Sequence, residues 1–477
     1  MLFLDLTDVQ SRHDVVQSVC QASKHPDNPV LRQGDAHEWD GLQARPWESR
    51  TIVYDDEERI FKCWYAGTDL SLDIWFGTGY AISDDGVHWE KPRLGLFDYR
   101  GSRDNNICLM AWGPVIKDPD EDNPARRYQM IVKGEPREHT GGIWVVYSHD
   151  GIHWPERTRI DLPEWEGTAP DIAALVKDDQ DPDPSRRFKL IWQGMLPNNK
   201  SGPERVRVKN LAYGPDVEHL RASPANPILH PNDGREQENH YLMLAPYGGQ
   251  YVMPYEYGWY APNGIGTFGL YCADIRLAVS RDGEHFTRVQ PHQPLIGRGA
   301  RGTWDSGLLV IADKLVEHDE QLYLYYCGNG EDWSSWPAGN IPAHSHAHNT
   351  GASRPSYMGL ATLSIDRFTC LETVDRETPG FVVTQPFAPR DRGGRLSVNI
   401  SDVQPLRSWV EVEVLPADGD EPLTGFGRDD CQPLSRDGVR EPVVWRERRW
   451  DDLDLDAVRL RIHFCGASRL HALNFSG

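Results

Sequence analysis

The chain has 477 residues, more than one ordinary hydrophobic core holds, and suits a domain of about 300 residues with a smaller companion. With 17 Trp, 18 Tyr, 43 Gly and 35 Pro against 7 Met, the composition favours aromatic-rich strands and many turns over helices. The formal net charge of -22 contains no long single-sign run, which argues against nucleic acid and anionic membranes, since both reward clustered Lys and Arg.

The first residues, MLFLDLTD, are interrupted by Asp5 and Asp8 and follow no positive segment, so neither a signal peptide nor a membrane span is expected, and a soluble cytoplasmic protein is. The eight cysteines are scattered, several in apolar runs such as FKCWYAG, and read as reduced, buried thiols rather than a disulfide framework.

From Arg50 the chain falls into a recurring pattern. An apolar run, a charged turn and an aromatic run (RTIVYDDEERIFKCWYAG) lead to SDDGVHW at Ser83 to Trp89. The pattern returns as PVIKDPDEDNPARRYQMIVKG before SHDGIHW at Ser148, and as DIAALVKDDQDPDPSRRFKLIWQG before the worn copy LAYGPDVEHL at Leu211. It returns again as YLMLAPYGGQYVMPYEY before SRDGEHF at Ser280, and as LLVIADKLVEHDEQLYLYYCG before the worn LATLSIDRFTCLE at Leu360. Ser83 and Ser148 are 65 residues apart and Ser280 lies 132 further on, two periods of the same repeat. Each copy reads as a hairpin closed by Asp and Gly. Four strands repeated five times predict a five-bladed β-propeller over residues 1–373. A long sandwich or a solenoid is the competing arrangement, but solenoid periods run about 20–50 residues. Beyond Thr373 the runs RLSVNI, WVEVEVL, PVVW and AVRLRIHF alternate between Pro, Gly and Asp, predicting a C-terminal β-sandwich over 374–477.

In a propeller the innermost strand of each blade starts beside the central channel, so the residues ahead of each first apolar run converge in one funnel. These are Asp40, Asp104, Asp171, Glu236 with Glu238, and Asp305. A ring of acids meets the need of glycoside cleavage for one carboxylic acid and one carboxylate, although each Asp alone is equally well read as a turn cap or an inter-blade bond. Glu48 lies closer to its strand than Asp40 and is an alternative first carboxylate. Trp39, Trp47 and Trp304 flank the acids as sugar-stacking candidates, with Arg45 and His240 as hydroxyl ligands and Asp104 and Asp305 as further substrate contacts. The loop EDWSSWPAGNIPAHSHAHNTGASRP has the length of a lid. Its His344, His346 and His348 lack a Cys or acidic partner at metal-site spacing, so no metal is expected. No phosphate loop, nucleophile elbow or paired CxxC is present, and no cofactor is expected.

This arrangement resembles the five-bladed glycoside hydrolases of the invertase and fructanase group (family 32) and the arabinanase and xylosidase group (family 43). In those families an Asp opens the first repeat, an Asp two repeats later stabilises the transition state, and a Glu in the next repeat is the general acid. Here Asp171 follows Asp40 by 131 residues and Glu238 follows Asp171 by 67. APDIAALVKD and QENHYLML are similar to the segments that carry the second and third acids, and the C-terminal unit is similar to the one the invertase group carries. The resemblance implies hydrolysis of a small glycan, a furanoside of fructose or arabinose type, with Asp40 as nucleophile or base, Asp171 as stabiliser and Glu238 as acid. It implies an oligosaccharide or glycoside as partner and leaves a homo-oligomer open. The invertase signatures Asn-Asp-Pro-Asn, Arg-Asp-Pro and Glu-Cys are absent, which marks a divergent relative. The alternatives are a phosphorylase resembling family 130, with Arg45, Arg235 and Arg301 as candidates for a cationic pocket, and a sugar-binding propeller without catalysis.

Overall fold

The computed structural model describes residues 1–35, 38–41, 43–44, 50–69, 74–133, 142–162, 171–197, 205–231, 235–261, 270–330, 356–389 and 393–476. They are all-β, with short 3₁₀ turns as the only helical elements among the described residues. No helix among them is long and apolar enough to cross a membrane. The eight cysteines are free thiols, seven of them buried.

The chain divides into two compact units. One comprises Ala22–Arg288 and Ile296–Thr362, and the other Met1–Gln21, Val289–Leu295 and Leu363–Gly477. The division differs from an expected boundary at 373 chiefly at the N-terminus. Val9–His13 pairs with Gly380–Thr384 and Val15–Val19 with Thr369–Thr373, so the first strands of the chain are bonded into the sheets of the C-terminal residues. In this unit two sheets share one apolar core. Along Val458–Cys465, Leu460, Ile462 and Phe464 are fully buried, while Arg461 and His463 on the other face both meet Glu413, a period-two alternation of the pleat.

The larger unit contains five sets of antiparallel strands. The first holds Arg50–Asp55, Ile60–Asp69, Ile74–Ser83 and Ile107–Leu109. The second runs Val115–Lys117, Tyr128–Lys133, Ile143–Ser148, Glu156–Ile160, and the third Ile172–Lys177, Phe188–Pro197, Arg205–Gly214, Arg221–Ala222. The fourth begins Ala245–Tyr247, Gln250–Ala261, Leu270–Ser280. The fifth, Leu308–Ile311, Gln321–Asn329 and Ser356–Ser364, is completed by Ser23–Lys24 from near the start of the chain.

The SxDG copies are the turns that the residues dictate. Ser83 Oγ accepts the Gly86 N–H at 2.9 Å, and Asp85 Oδ1 accepts the Val87 and His88 N–H groups, both at 2.8 Å; Ser148 to His153 and Ser280 to His285 repeat the pattern. Gly86 sits at φ +75°, where a side chain is strained. The turn also binds neighbouring sets: Gly86 O accepts from Tyr325 Oη of the fifth set, and Gly151 O accepts from Trp64 Nε1 of the first.

A buried carboxylate at or just past the end of the first strand joins one set to another in four of the five. Asp55 accepts from Lys62 of its own set and from Lys117 and Tyr128 of the second, at 2.8, 2.7 and 2.9 Å. Asp118 accepts from Lys177 of the third set, Asp178 from Tyr251 of the fourth, and Asp313 of the fifth from Thr51 of the first. Between the fourth and fifth sets the link is a parallel strand contact, Ala273 against Leu308. Residues from all five sets, including Val53, Ile116, Val176, Pro246 and Leu315, line one cavity of about 540 Å³. Burial alone would raise the Asp55 carboxyl, but hydrogen bonds from Lys117, Lys62 and Tyr128 hold it well below the usual carboxylate range.

Lys189 and Asp178 are both 0% exposed and bonded at 2.6 Å. Removing the carboxylate leaves a buried cation short of its counter-charge, so Asp178→Ala is expected to destabilise the protein by about 3–5 kcal/mol in chemical denaturation.

Candidate functional site

The first strands of the five sets end around the cavity, so the residues that precede them lie at the opposite end, roughly 15–20 Å away for a six-residue strand. Asp171 immediately precedes Ile172–Lys177, and Glu238 leads toward Ala245–Tyr247. Asp171 accepts from Lys133 Nζ of the second set and from Gln193 Nε2 at 3.3 Å, and its side chain remains 37% exposed. Burial opposes its ionisation, but the charge and hydrogen bond of Lys133, with Arg207 and Lys209 behind them, hold the carboxyl below the usual range. Asp171 is therefore a carboxylate at neutral pH.

Glu238 is 1% exposed and accepts from Arg207 Nη1 at 3.1 Å and from the Arg207 N–H at 3.3 Å. Between it and Asp171 lies Lys209, whose Nζ donates to Asn239 O at 2.9 Å and to Gln193 Oε1 at 3.4 Å. Burial pulls the Lys209 amine down to about 7, with Arg207 acting in the same direction and Glu256, Asp171 and Glu238 opposing. His240 is buried, its Nδ1 3.9 Å from Glu256 Oε1. Burial and the charges of Arg207 and Lys209 hold its imidazole neutral. The Asn239 amide is fully buried and neither of its atoms has a hydrogen-bond partner among the described residues. A buried amide of that kind carries a desolvation cost that a bound hydroxyl or water would relieve.

Asp40 and Asp305 are built differently, and alike. Asp40 accepts from Gly34 N–H, Tyr65 Oη and Lys91 Nζ at 3.2, 2.9 and 2.6 Å. Asp305 accepts from Thr303 Oγ1, Tyr326 Oη and Lys24 Nζ at 2.9, 3.1 and 2.5 Å. A Trp precedes each. A Cβ on Gly67 would stand 2.3 Å from the Trp39 ring, and one on Gly328 2.6 Å from Trp304, so each Trp lies against strand backbone that glycine leaves open. Trp39 is 3% exposed and donates to Asn106, so it offers no face for a sugar, contrary to expectation. Trp304 is half-buried and stacks on Tyr326. Asp104 is exposed and paired with exposed Arg93 at 2.9 Å, because it precedes Ile107–Leu109, the last strand of the first set, rather than the first strand of the second. Glu236 is fully buried against Arg288 at 2.8 Å. Arg45, Trp47, Glu48 and the loop with His344, His346 and His348 lie outside the described residues. Among the described residues no group of His, Cys, Asp and Glu is placed to hold a metal ion.

The structure thus brings Asp171, Glu238 and His240 together through shared neighbours, and places Asp40 and Asp305 among other partners. Sequence reading missed Lys133, Gln193, Arg207, Lys209, Asn239 and Glu256. Lys209 and Glu256 carried a signal: each is a charge at a buried position in an otherwise apolar or aromatic strand, RVRVKNLAYG and QYVMPYEYGW.

No family model matches the chain, and no curated protein matches it in sequence. Among solved structures it is similar to a glycosyl hydrolase from Bacteroides ovatus, with 13% identity over 73% of this chain and 95% of that one and a TM-score of 0.45. The same identity, coverage and TM-score hold for a structure reported for the GH130 family of mannoside phosphorylases, a family containing glycoside hydrolases that target β-1,2 mannosidic linkages in Candida mannan. An N-acetylgalactosamine deacetylase from F. plautii, in complex with blood group B trisaccharide, is similar at 15% identity over 75% of this chain and 97% of that one, with a TM-score of 0.43.

Lys209 makes stability depend on pH in a defined direction. The folded protein holds its proton less tightly than the unfolded chain, so unfolding takes up a proton between about pH 7 and the ordinary lysine range, and stability rises with pH across that window. Urea denaturation between these limits is expected to show a slope up to about 1.4 kcal/mol per pH unit steeper in the wild type than in Lys209→Met.

Proposed function

We propose that this chain is a glycoside hydrolase whose five strand sets are the blades of a five-bladed β-propeller, with a β-sandwich as its second unit. The observation that carries the activity is the pair Asp171 and Glu238, ahead of successive first strands, joined by Arg207 and Lys209, with the Asn239 amide beside them lacking a hydrogen-bond partner among the described residues. An oxocarbenium-like transition state develops positive charge, and an ionised, part-exposed Asp171 is placed to favour it over the neutral ground state. Glu238 takes the role of proton donor to the leaving oxygen, which the resemblance of its segment implies. For the third requirement, a carboxylate that attacks or activates water, the saturation of Asp40 by Tyr65, Lys91 and Gly34 favours Glu48 over Asp40. A furanoside of fructose or arabinose type stands first as substrate, supported by the resemblance of the acid-bearing segments.

Turnover of a panel of aryl and alkyl furanosides and pyranosides tests this. Asp171→Asn is expected to lose about 10²–10⁴-fold in kcat/KM on all cleaved substrates. Glu238→Gln is expected to lose as much on alkyl glycosides but far less on dinitrophenyl glycosides, whose leaving group needs no proton. Full activity in both variants overturns the assignment, and a rate that requires inorganic phosphate replaces hydrolysis by phosphorolysis. Because Lys133 holds Asp171 ionised, Lys133→Met is expected to move the acid limb of kcat/KM to higher pH by about one unit or more.

A further inference from the structure

Three arginines gather on the fourth strand set beside Glu238. The guanidinium carbons of Arg235 and Arg298, both exposed, each lie 5.0 Å from the ring centroid of half-buried Trp259. Arg276, only 6% exposed, lies over Tyr257 and grips Asp274 through Nε and Nη2 at 2.5 and 2.9 Å. Its third nitrogen, Nη1, is buried and meets no hydrogen-bond acceptor among the described residues. Arg298 donates to a backbone carbonyl, Ser306 O, at 3.1 Å.

The cluster lies next to the proposed acid. The N–H groups of Gln237 and Glu238 donate to Gly258 O, and the Gly258 N–H returns to Glu238 O at 2.9 Å, so Trp259 directly follows the residue paired with Glu238. Ser306, which Arg298 holds, directly follows Asp305. The arginines therefore stand between the strand starts of the fourth and fifth sets.

A guanidinium stays charged at any working pH, and its planar fork matches the two oxygens of a carboxylate or phosphate. Burial pushes the Asp274 carboxyl above the usual range even though Arg276, Arg298 and Arg235 all act to lower it. One such carboxylate does not balance the two guanidinium charges of Arg276 and Arg298. Like charges drawn to one indole, with a buried N–H left to donate, suit an incoming anion.

We propose that Arg276 and Arg298, with Arg235 at the rim, form an oxyanion subsite beside Glu238. This rests on the reading of Glu238 as the acid of a glycan-acting site. The oxyanion comes either on the glycan, as a uronate carboxylate, or as inorganic phosphate, and the chemistry of recognition is the same.

Calorimetric titration of the full chain with methyl glucuronide, methyl glucoside and inorganic phosphate tests the subsite. The wild type is expected to bind the glucuronide about tenfold or more tightly than the neutral glucoside, with the gap narrowing as salt is raised. Arg298→Gln, at an exposed position, is expected to abolish most of that preference, and Arg276→Met all of it. Phosphate binding lost in Arg298→Gln, without preference for the glucuronide, also supports the subsite and identifies inorganic phosphate as its ligand. Absence of binding by either anion, or anion binding unchanged in both variants, overturns it. An anion preference alongside full activity in Asp171→Asn and Glu238→Gln keeps the subsite and removes the hydrolase reading. Loss of activity in those two variants with no anion preference removes the subsite alone.

Discussion

The larger unit depends on a buried carboxylate at the far end of the first strand that finds its counter-charge or hydrogen-bond donor in another strand set. Asp55 is fully buried, yet of its three side-chain donors only Lys62 belongs to its own set, while Lys117 and Tyr128 come from the second. A buried charge without its partners costs several kcal/mol, so a set folded alone would carry that cost. Docking the next set removes it. The third set repeats the device with Asp178, Lys189 and Tyr251, whereas the second places Gln129 where the first and third place Lys and takes its cation, Lys177, from the third. Sets that complete one another's charges favour a cooperative unit over a string of independent sheets.

Fixing one end of each first strand fixes the other. Strands are stiff and rise by about 3.3 Å per residue, so Asp178, anchored at the cavity end of Ile172–Lys177, holds Asp171 in place at the opposite end. The cations there come from elsewhere, Lys133 from the second set and Arg207 and Lys209 from the third strand of the third set. Their spacing sets protonation. Lys133 meets an open carboxylate and keeps it ionised, while Lys209, fully enclosed and crowded by Arg207, gives up its proton near neutrality. Burial against pairing decides each case.

Much of this was legible in the sequence. The SxDG spacing gave the hairpins, because a Ser hydroxyl, an Asp carboxylate and a positive-φ glycine close a turn from local residues alone. The strand pairs around each charged turn were legible for the same reason. Ser23–Lys24 and Val15–Val19 were not, since each pairs with residues more than 300 positions away and carries no local mark of its partner. The acids were found as a class but not sorted. Asp40, Asp104, Asp171 and Asp305 look equivalent in sequence, and what separates them is Lys91, Arg93, Lys133 and Lys24, each brought in by folding.

The sorting has a physical basis in the Trp–Asp pair. In the first and fifth sets a Trp precedes the Asp, lies on a glycine of the neighbouring strand and brings the carboxylate against a Tyr hydroxyl and a Lys amine, leaving the side chains of Asp40 and Asp305 2% and 5% exposed. Asp171 has Pro170 before it, an amide from Gln193 in place of a phenol, and 37% of its side chain exposed. A carboxylate held by three donors inside a wedge is a fastener. One held ionised chiefly by Lys133 at an open strand start retains the capacity to meet a developing positive charge. Glu238 is as buried as Asp40, but its hydrogen bonds, at 3.1 and 3.3 Å, are longer than the Lys91 contact, and the Asn239 amide beside it has no hydrogen-bond partner among the described residues. Burial alone therefore does not distinguish Glu238 from Asp40; what differs is the number and length of the hydrogen bonds each carboxylate accepts.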